Sequence, residues 1–195
     1  MNLTRSTAAP EVARDLAVCV QYLHGPSAAA DTQAAVAQAV GSACAVTHSA
    51  RTSTQPAFTL ADAGDWSFLF CEGCSTLQQG TLCLDGYRGG LLDSVLAPRN
   101  AYFDQVVQAV IDLALAQGKL QRPNVVCAGH SMGGAVAELA AGRIKETNRQ
   151  AAVAYCSFGS PKPAGWAAPA EYKAANADMG KIADEYRSHW KRHVL

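Results

Sequence analysis

One short stretch of the sequence has the residue types and the spacing to do chemistry. Gly129-His130-Ser131-Met132-Gly133 fits the pattern G-x-S-x-G, a serine with a glycine two residues away on either side. The pattern alone is weak evidence in a chain with 16 glycines; its setting strengthens it. Val125-Val126-Cys127-Ala128, an apolar run of the kind that forms a central parallel strand, leads straight into it. A helical pattern with Val136, Leu139, Ala140 and Ile144 on one face opens straight after it. A turn this sharp brings strand and helix almost into contact, so the residues two before and two after the serine must be small. It also lifts the Ser131 hydroxyl above the strand end, where it can attack a carbonyl carbon as a nucleophile. The free N–H groups at the helix start favour negative charge developing on a substrate oxygen, and the backbone N–H of Met132 is one candidate donor. The plainer alternative is a glycine-rich turn whose serine merely caps the helix.

A serine hydroxyl is a weak nucleophile until a base takes its proton and an acid orients that base. For a nucleophile on such a turn, the acid and then the histidine follow it in the chain. The residues after Ser131 include Glu171, Asp178, Asp184, Glu185, His189 and His193. Asp184 and His193 are the pair that a compact tail would use. The alternative places them in a solvated, mixed-charge stretch with Lys181, Glu185, Arg187, Lys191 and Arg192. His189 lies in a helical pattern and His193 in a run that enters a strand rather than leaving one. Neither is therefore expected to reach Ser131, which leaves the base to further chain or to a partner. His130, beside the nucleophile on a strand end, is expected to point elsewhere. Cys71-x-x-Cys74 is the other tempting pattern. A structural zinc needs more ligands than these two and the nearby Cys83 supply, so no metal is expected. The pair also closes a strand instead of opening a helix, as a redox pair would.

These residues need elements to hold them. Val12, Leu16, Cys19, Val20 and Leu23 recur at helical spacing and are closed by Gly25-Pro26. Asp31 then reads as the N-cap of an alanine-rich helix to about Val40. Residues 41–64, rich in Ser, Thr, Gly and Ala, read as short strands or loops. Asp65 to Cys71 is a buried strand closed by Gly73, and Thr81 to Leu84 reads as another short one. Phe103, Val106, Val107, Val110, Ile111 and Ala114 share one face of a helix that Gly118 stops. Ala151 to Phe158 forms the next apolar strand, Glu171 to Trp190 reads as helix, and Arg192 to Leu195 begins a further strand. Alternation of strand and helix at this spacing predicts an α/β protein: a mostly parallel central sheet flanked by helices on both faces. Residues 1–195 read as a single domain, with N-terminal helices and short strands over 1–64 and a C-terminal end that stops short.

Composition narrows the partners. Lys plus Arg equals Asp plus Glu, so no net field draws the chain to nucleic acid, and no apolar run is long enough to span a membrane. The first ten residues lack the apolar core of a secretory signal, which fits a cytoplasmic protein and leaves an organelle open. The seven cysteines are an odd number, and they are not spaced as a dense disulfide framework; reduced thiols are expected.

Gly129-His130-Ser131-Met132-Gly133-Gly134-Ala135, followed by Phe158-Gly159-Ser160-Pro161, resembles the class 3 (fungal-type) triacylglycerol lipase family over roughly residues 65–165. Gly90-Leu91-Leu92-Asp93-Ser94 resembles a glycine-led segment that the family carries at that place. The resemblance implies an α/β-hydrolase fold. It also implies a lipase or esterase acting on acylglycerols or related esters through an acyl-serine, with no cofactor. The family usually ends the strand upstream of the serine turn with F-R-G-T, whose threonine contributes to the oxyanion hole. This chain has Cys71-Glu72-Gly73-Cys74 there, so only the glycine matches, and the oxyanion donor becomes the backbone N–H of Cys74 or its weaker thiol. Tyr87-Arg88-Gly89-Gly90 looks similar but lies too close to Ser131 for the family's order. A second reading stays open on these departures: a non-catalytic protein of the same fold, a scaffold or a subunit with protein partners.

Overall fold

The computed structural model of the chain describes residues 10–23, 25–85 and 101–160. Two N-terminal helices, α1 (Pro10–Tyr22) and α2 (Ala28–Val40), precede three strands, β1 (Cys44–Ser49), β2 (Phe58–Ala63) and β3 (Trp66–Cys71). Helices α3 (Leu77–Asp85) and α4 (Ala101–Ala116) follow, then β4 (Asn124–His130), α5 (Met132–Thr147) and β5 (Ala152–Phe158).

The strands form one sheet in the order β1-β2-β3-β4-β5. Pairing is antiparallel from β1 to β3 and parallel from β3 to β5. The described sheet is therefore mixed, where a mostly parallel one was expected. The reason is local: Gly64-Asp65 links β2 to β3 as a two-residue hairpin with Gly64 at φ +56°, and so short a link can only join antiparallel strands.

Helices cover both faces. Leu69 and Cys71 of β3, Val125 and Cys127 of β4 and Val153 of β5 pack under α4 and α5. The alternate residues Phe68, Phe70, Val126, Ala128 and Cys156 pack under α1 and α2. Burial on both faces is why β3 and β4 read as unbroken apolar runs rather than alternating ones. On the α1–α2 side, Trp66, Phe68 and Phe70 stack along β3, with centroids 6.2 and 5.9 Å apart.

Two local readings change. Thr81 to Leu84 is not a strand but the end of α3. The Thr76 hydroxyl accepts the Gln79 N–H at 3.1 Å and caps that helix, and Leu82 and Cys83 pack against the α4–α5 cluster. Helix α2 starts at Ala28, so Ser27 and not Asp31 is the N-cap; Asp31 lies in the first turn, hydrogen-bonded to the Ser27 hydroxyl.

Candidate active site

Ser131 stands between the end of β4 and the first residue of α5, with φ +53° and ψ −126°. A non-glycine residue rarely adopts such a backbone; the strain costs about 1–3 kcal/mol and persists only where neighbours over-determine it. Those neighbours are visible. The Ser131 N–H donates to the Phe158 carbonyl at 2.8 Å, and the Ser131 carbonyl accepts the Gly134 N–H at 2.9 Å. The glycines on either side are forced by contact. A Cβ on Gly129 would collide with the backbone of Gly133, and one on Gly133 would collide with the Cys71 and Glu72 carbonyls. Helix α5 thus rests directly on the ends of β3 and β4, and Ser131 is left half-buried at the sheet edge from which both strands exit.

Beside it runs the segment Glu72-Gly73-Cys74-Ser75 that leaves β3. A Cβ on Gly73 would lie 2.9 Å from the His130 carbonyl oxygen and 3.3 Å from the Ser131 Cβ, so this backbone passes directly over the serine. Cys74 is exposed, and its Sγ lies 3.3 Å from the Met132 Sδ. Ser131, Met132 and Cys74 are therefore brought together. Among the described residues neither the Met132 nor the Cys74 amide forms a hydrogen bond. Met132 is the first residue of α5, where the positive end of the helix dipole lies. Burial pushes the Cys74 thiol up, although a hydrogen bond with Cys83 opposes the shift. Burial pushes Cys83 up to about 11, helped by Cys74. Both are neutral thiols at pH 7, so Cys74 adds no negative charge beside Met132.

Sequence reasoning missed the groups that hold this segment. The Glu72 carboxylate is completely buried; Oε1 pairs with the Arg51 Nη2 at 2.7 Å, and Oε2 accepts the Ala57 N–H at 3.0 Å and the Ser75 hydroxyl at 3.2 Å. Gln79, also buried, accepts the Ser75 N–H at 2.9 Å and donates to the Thr52 and Gln55 carbonyls at 2.9 and 2.8 Å. Tyr102 donates to the Thr54 carbonyl at 2.7 Å. The one visible signal was a glutamate closing an apolar strand, where no partner could be named from sequence.

Asp184, His193 and His189 lie outside the described residues, as do the Gly90–Ser94 and Tyr87–Gly90 segments and the helix and strand expected after residue 170. Among the described residues no side chain hydrogen-bonds the Ser131 hydroxyl. The His130 ring is exposed and lies near Gly73 and Gly159. The two cysteines of the C-x-x-C pair part company: Cys71 is buried in the α4–α5 core beneath the sheet, while Cys74 faces Met132 and Cys83. Among the described residues no three His, Cys, Asp or Glu side chains cluster as metal ligands, and no helix is long and apolar enough to cross a membrane.

Residues 75–183, just over half of the chain, match the family model described as lipase (class 3). That span takes in the serine turn, α5 and β5, and it ends before Asp184 and His193. No curated protein and no solved structure matches the chain.

Proposed function

The chain belongs to the class 3 lipase family, and on that premise we propose that it is a serine ester hydrolase acting on acylglycerols or related carboxylic esters. The observation that carries the reading is the backbone of Ser131, held at φ +53° between β4 and α5. A helix-capping serine has no use for that strain, whereas a nucleophile raised above a sheet edge does. The family implies an α/β-hydrolase fold, and the two-sided sheet with β4 between β3 and β5 supports it.

In this reading the Ser131 oxygen attacks the ester carbonyl carbon as a base removes its proton. The carbonyl π electrons move onto oxygen, and the amides of Met132 and Cys74 donate hydrogen bonds to the resulting oxyanion. Collapse of the tetrahedral species expels the alcohol, which takes the proton from the base, and leaves an acyl-serine. Water then repeats the sequence and releases the acid. Side-chain and backbone groups suffice for each step, with no cofactor. The base and its orienting acid are proposed to come from the C-terminal stretch, where Asp184 and His193 are the candidates, or from a partner.

One observation favours a second reading. By the resemblance, Glu72 and Cys74 stand where the family usually carries arginine and threonine, which fits a scaffold of the same fold that has lost turnover. Hydrolysis of p-nitrophenyl butyrate separates the two. The hydrolase reading requires cleavage that falls by about 10³-fold or more in Ser131→Ala. A folded wild-type chain with no turnover, and with no phosphonate labelling of Ser131, supports the scaffold.

A further inference from the structure

We infer that Glu72, anchored by Arg51, is the positioning residue that holds the Cys74 amide at the oxyanion site. The claim rests on the hydrolase reading above and extends it to a residue pair outside the reacting groups.

Of the two amides beside Ser131 that form no hydrogen bond, Met132 is fixed by α5. Cys74 belongs to a short segment between β3 and α3 and needs another support. Both of its flanks are tied to residues 51–57. On the near side, the Glu72 N–H donates to the Ala57 carbonyl at 2.9 Å while its carboxylate accepts the Ala57 N–H at 3.0 Å. On the far side, Ser75 gives its hydroxyl to Glu72 and its N–H to Gln79, whose amide nitrogen grips the Thr52 and Gln55 carbonyls. Gly73 and Cys74 are the two residues suspended between these anchors, and Gly73 packs against Ser131.

Arg51 makes the arrangement tenable. A carboxylate with no solvent exposure needs a cation or several hydrogen bonds, and Glu72 has both. The family resemblance places an arginine at the position of Glu72. Here the charge there is reversed, and the cation comes instead from the facing segment. A buried network in which Oε2 takes two hydrogen bonds and Oε1 meets the Arg51 cation is stiff, and stiffness is what an oxyanion donor requires. Such a donor must sit about 2.7–3.1 Å from the developing oxygen, and a misplacement of about 1 Å costs on the order of 100-fold in rate.

The test compares the wild type with Glu72→Gln and with Arg51→Lys. Glu72→Gln keeps the shape and loses the charge. Arg51→Lys keeps the charge and loses the guanidinium fork, at a side chain that is 39% exposed and so tolerant of change. Readouts are kcat and KM for p-nitrophenyl butyrate per titrated active site, and the second-order rate of Ser131 phosphonylation by an alkyl p-nitrophenyl phosphonate. The expected result is a kcat and a phosphonylation rate lower by about 10–100-fold in Glu72→Gln, with KM within about 3-fold. Arg51→Lys should show a smaller loss of the same kind. A purely structural role would lower the melting temperature and leave kcat per active site unchanged. Rates within about 2-fold of wild type in Arg51→Lys and in folded Glu72→Gln would overturn the positioning role alone. If Glu72→Gln does not fold, Arg51→Lys decides by the same criterion. A folded wild type inert to both reagents would overturn the hydrolase reading, and this inference with it.

Discussion

Replacing Gly133 by alanine tests the packing that raises Ser131. The new Cβ would be driven into the Cys71 and Glu72 carbonyl oxygens and would sit 2.6 Å from the Glu72 carbonyl carbon. That is about 0.8 Å inside ordinary van der Waals contact. Every atom it meets is backbone, so no rotamer change relieves the overlap, and the start of α5 must move away from the end of β3. Overpacking of a core typically costs about 1–3 kcal/mol, and rigid neighbours on both sides put this site at about 3 kcal/mol or beyond. For a chain of this length that lowers the melting temperature by about 6–12 °C. Gly80→Ala is the matched control. It lies inside α3 with nothing within 4 Å of the added Cβ, so it should gain about 0.5–1 kcal/mol and melt about 1–4 °C higher. Thermal denaturation followed by circular dichroism reads both. A Gly133→Ala protein as stable as wild type would refute the claim that α5 rests directly on the β3 end.

Two further outcomes follow from the same structure. Ser131→Gly should relieve the φ +53° strain and raise the melting temperature by about 2–4 °C while removing the nucleophile; a lower melting temperature would show that the backbone is not strained there. Burial raises the Cys19 and Cys156 thiols to about 12, whereas unfolded thiols ionise near 9. The folded state therefore holds their protons longer than the unfolded state does. The stability this contributes is complete below pH 9 and is lost as pH rises from about 9 to about 12. Melting temperatures measured from pH 8 to 11 should fall less steeply in Cys156→Ala than in wild type; parallel slopes would contradict the assignment.

The sequence disclosed most where the determinants are short-range. The Gly129–Gly133 pattern, the apolar runs of β3, β4 and β5 and the stripe on α4 each carry their own signal within a few residues. It disclosed least where pairing is set across distance. β1 and β2 lie in a Ser/Thr/Ala-rich stretch, and it is the register of β1 with β2 and of β2 with β3 that makes them strands. α3 was misread because Leu82-Cys83-Leu84 is a short apolar run that fits either structure, and the Thr76–Gln79 cap was the signal to weigh. The Arg51–Glu72 pair joins residues that only the β2–β3 hairpin brings together, so composition could flag Glu72 as odd but could not supply its partner.

The central claim is that Ser131 is an activated nucleophile. Intact-mass measurement and peptide mapping after exposure to an alkyl p-nitrophenyl phosphonate test it most directly. One phosphonyl adduct per chain is expected, located on Ser131 and absent from Ser131→Ala. An unlabelled wild-type chain that is demonstrably folded, or an adduct that maps to another residue, would contradict it.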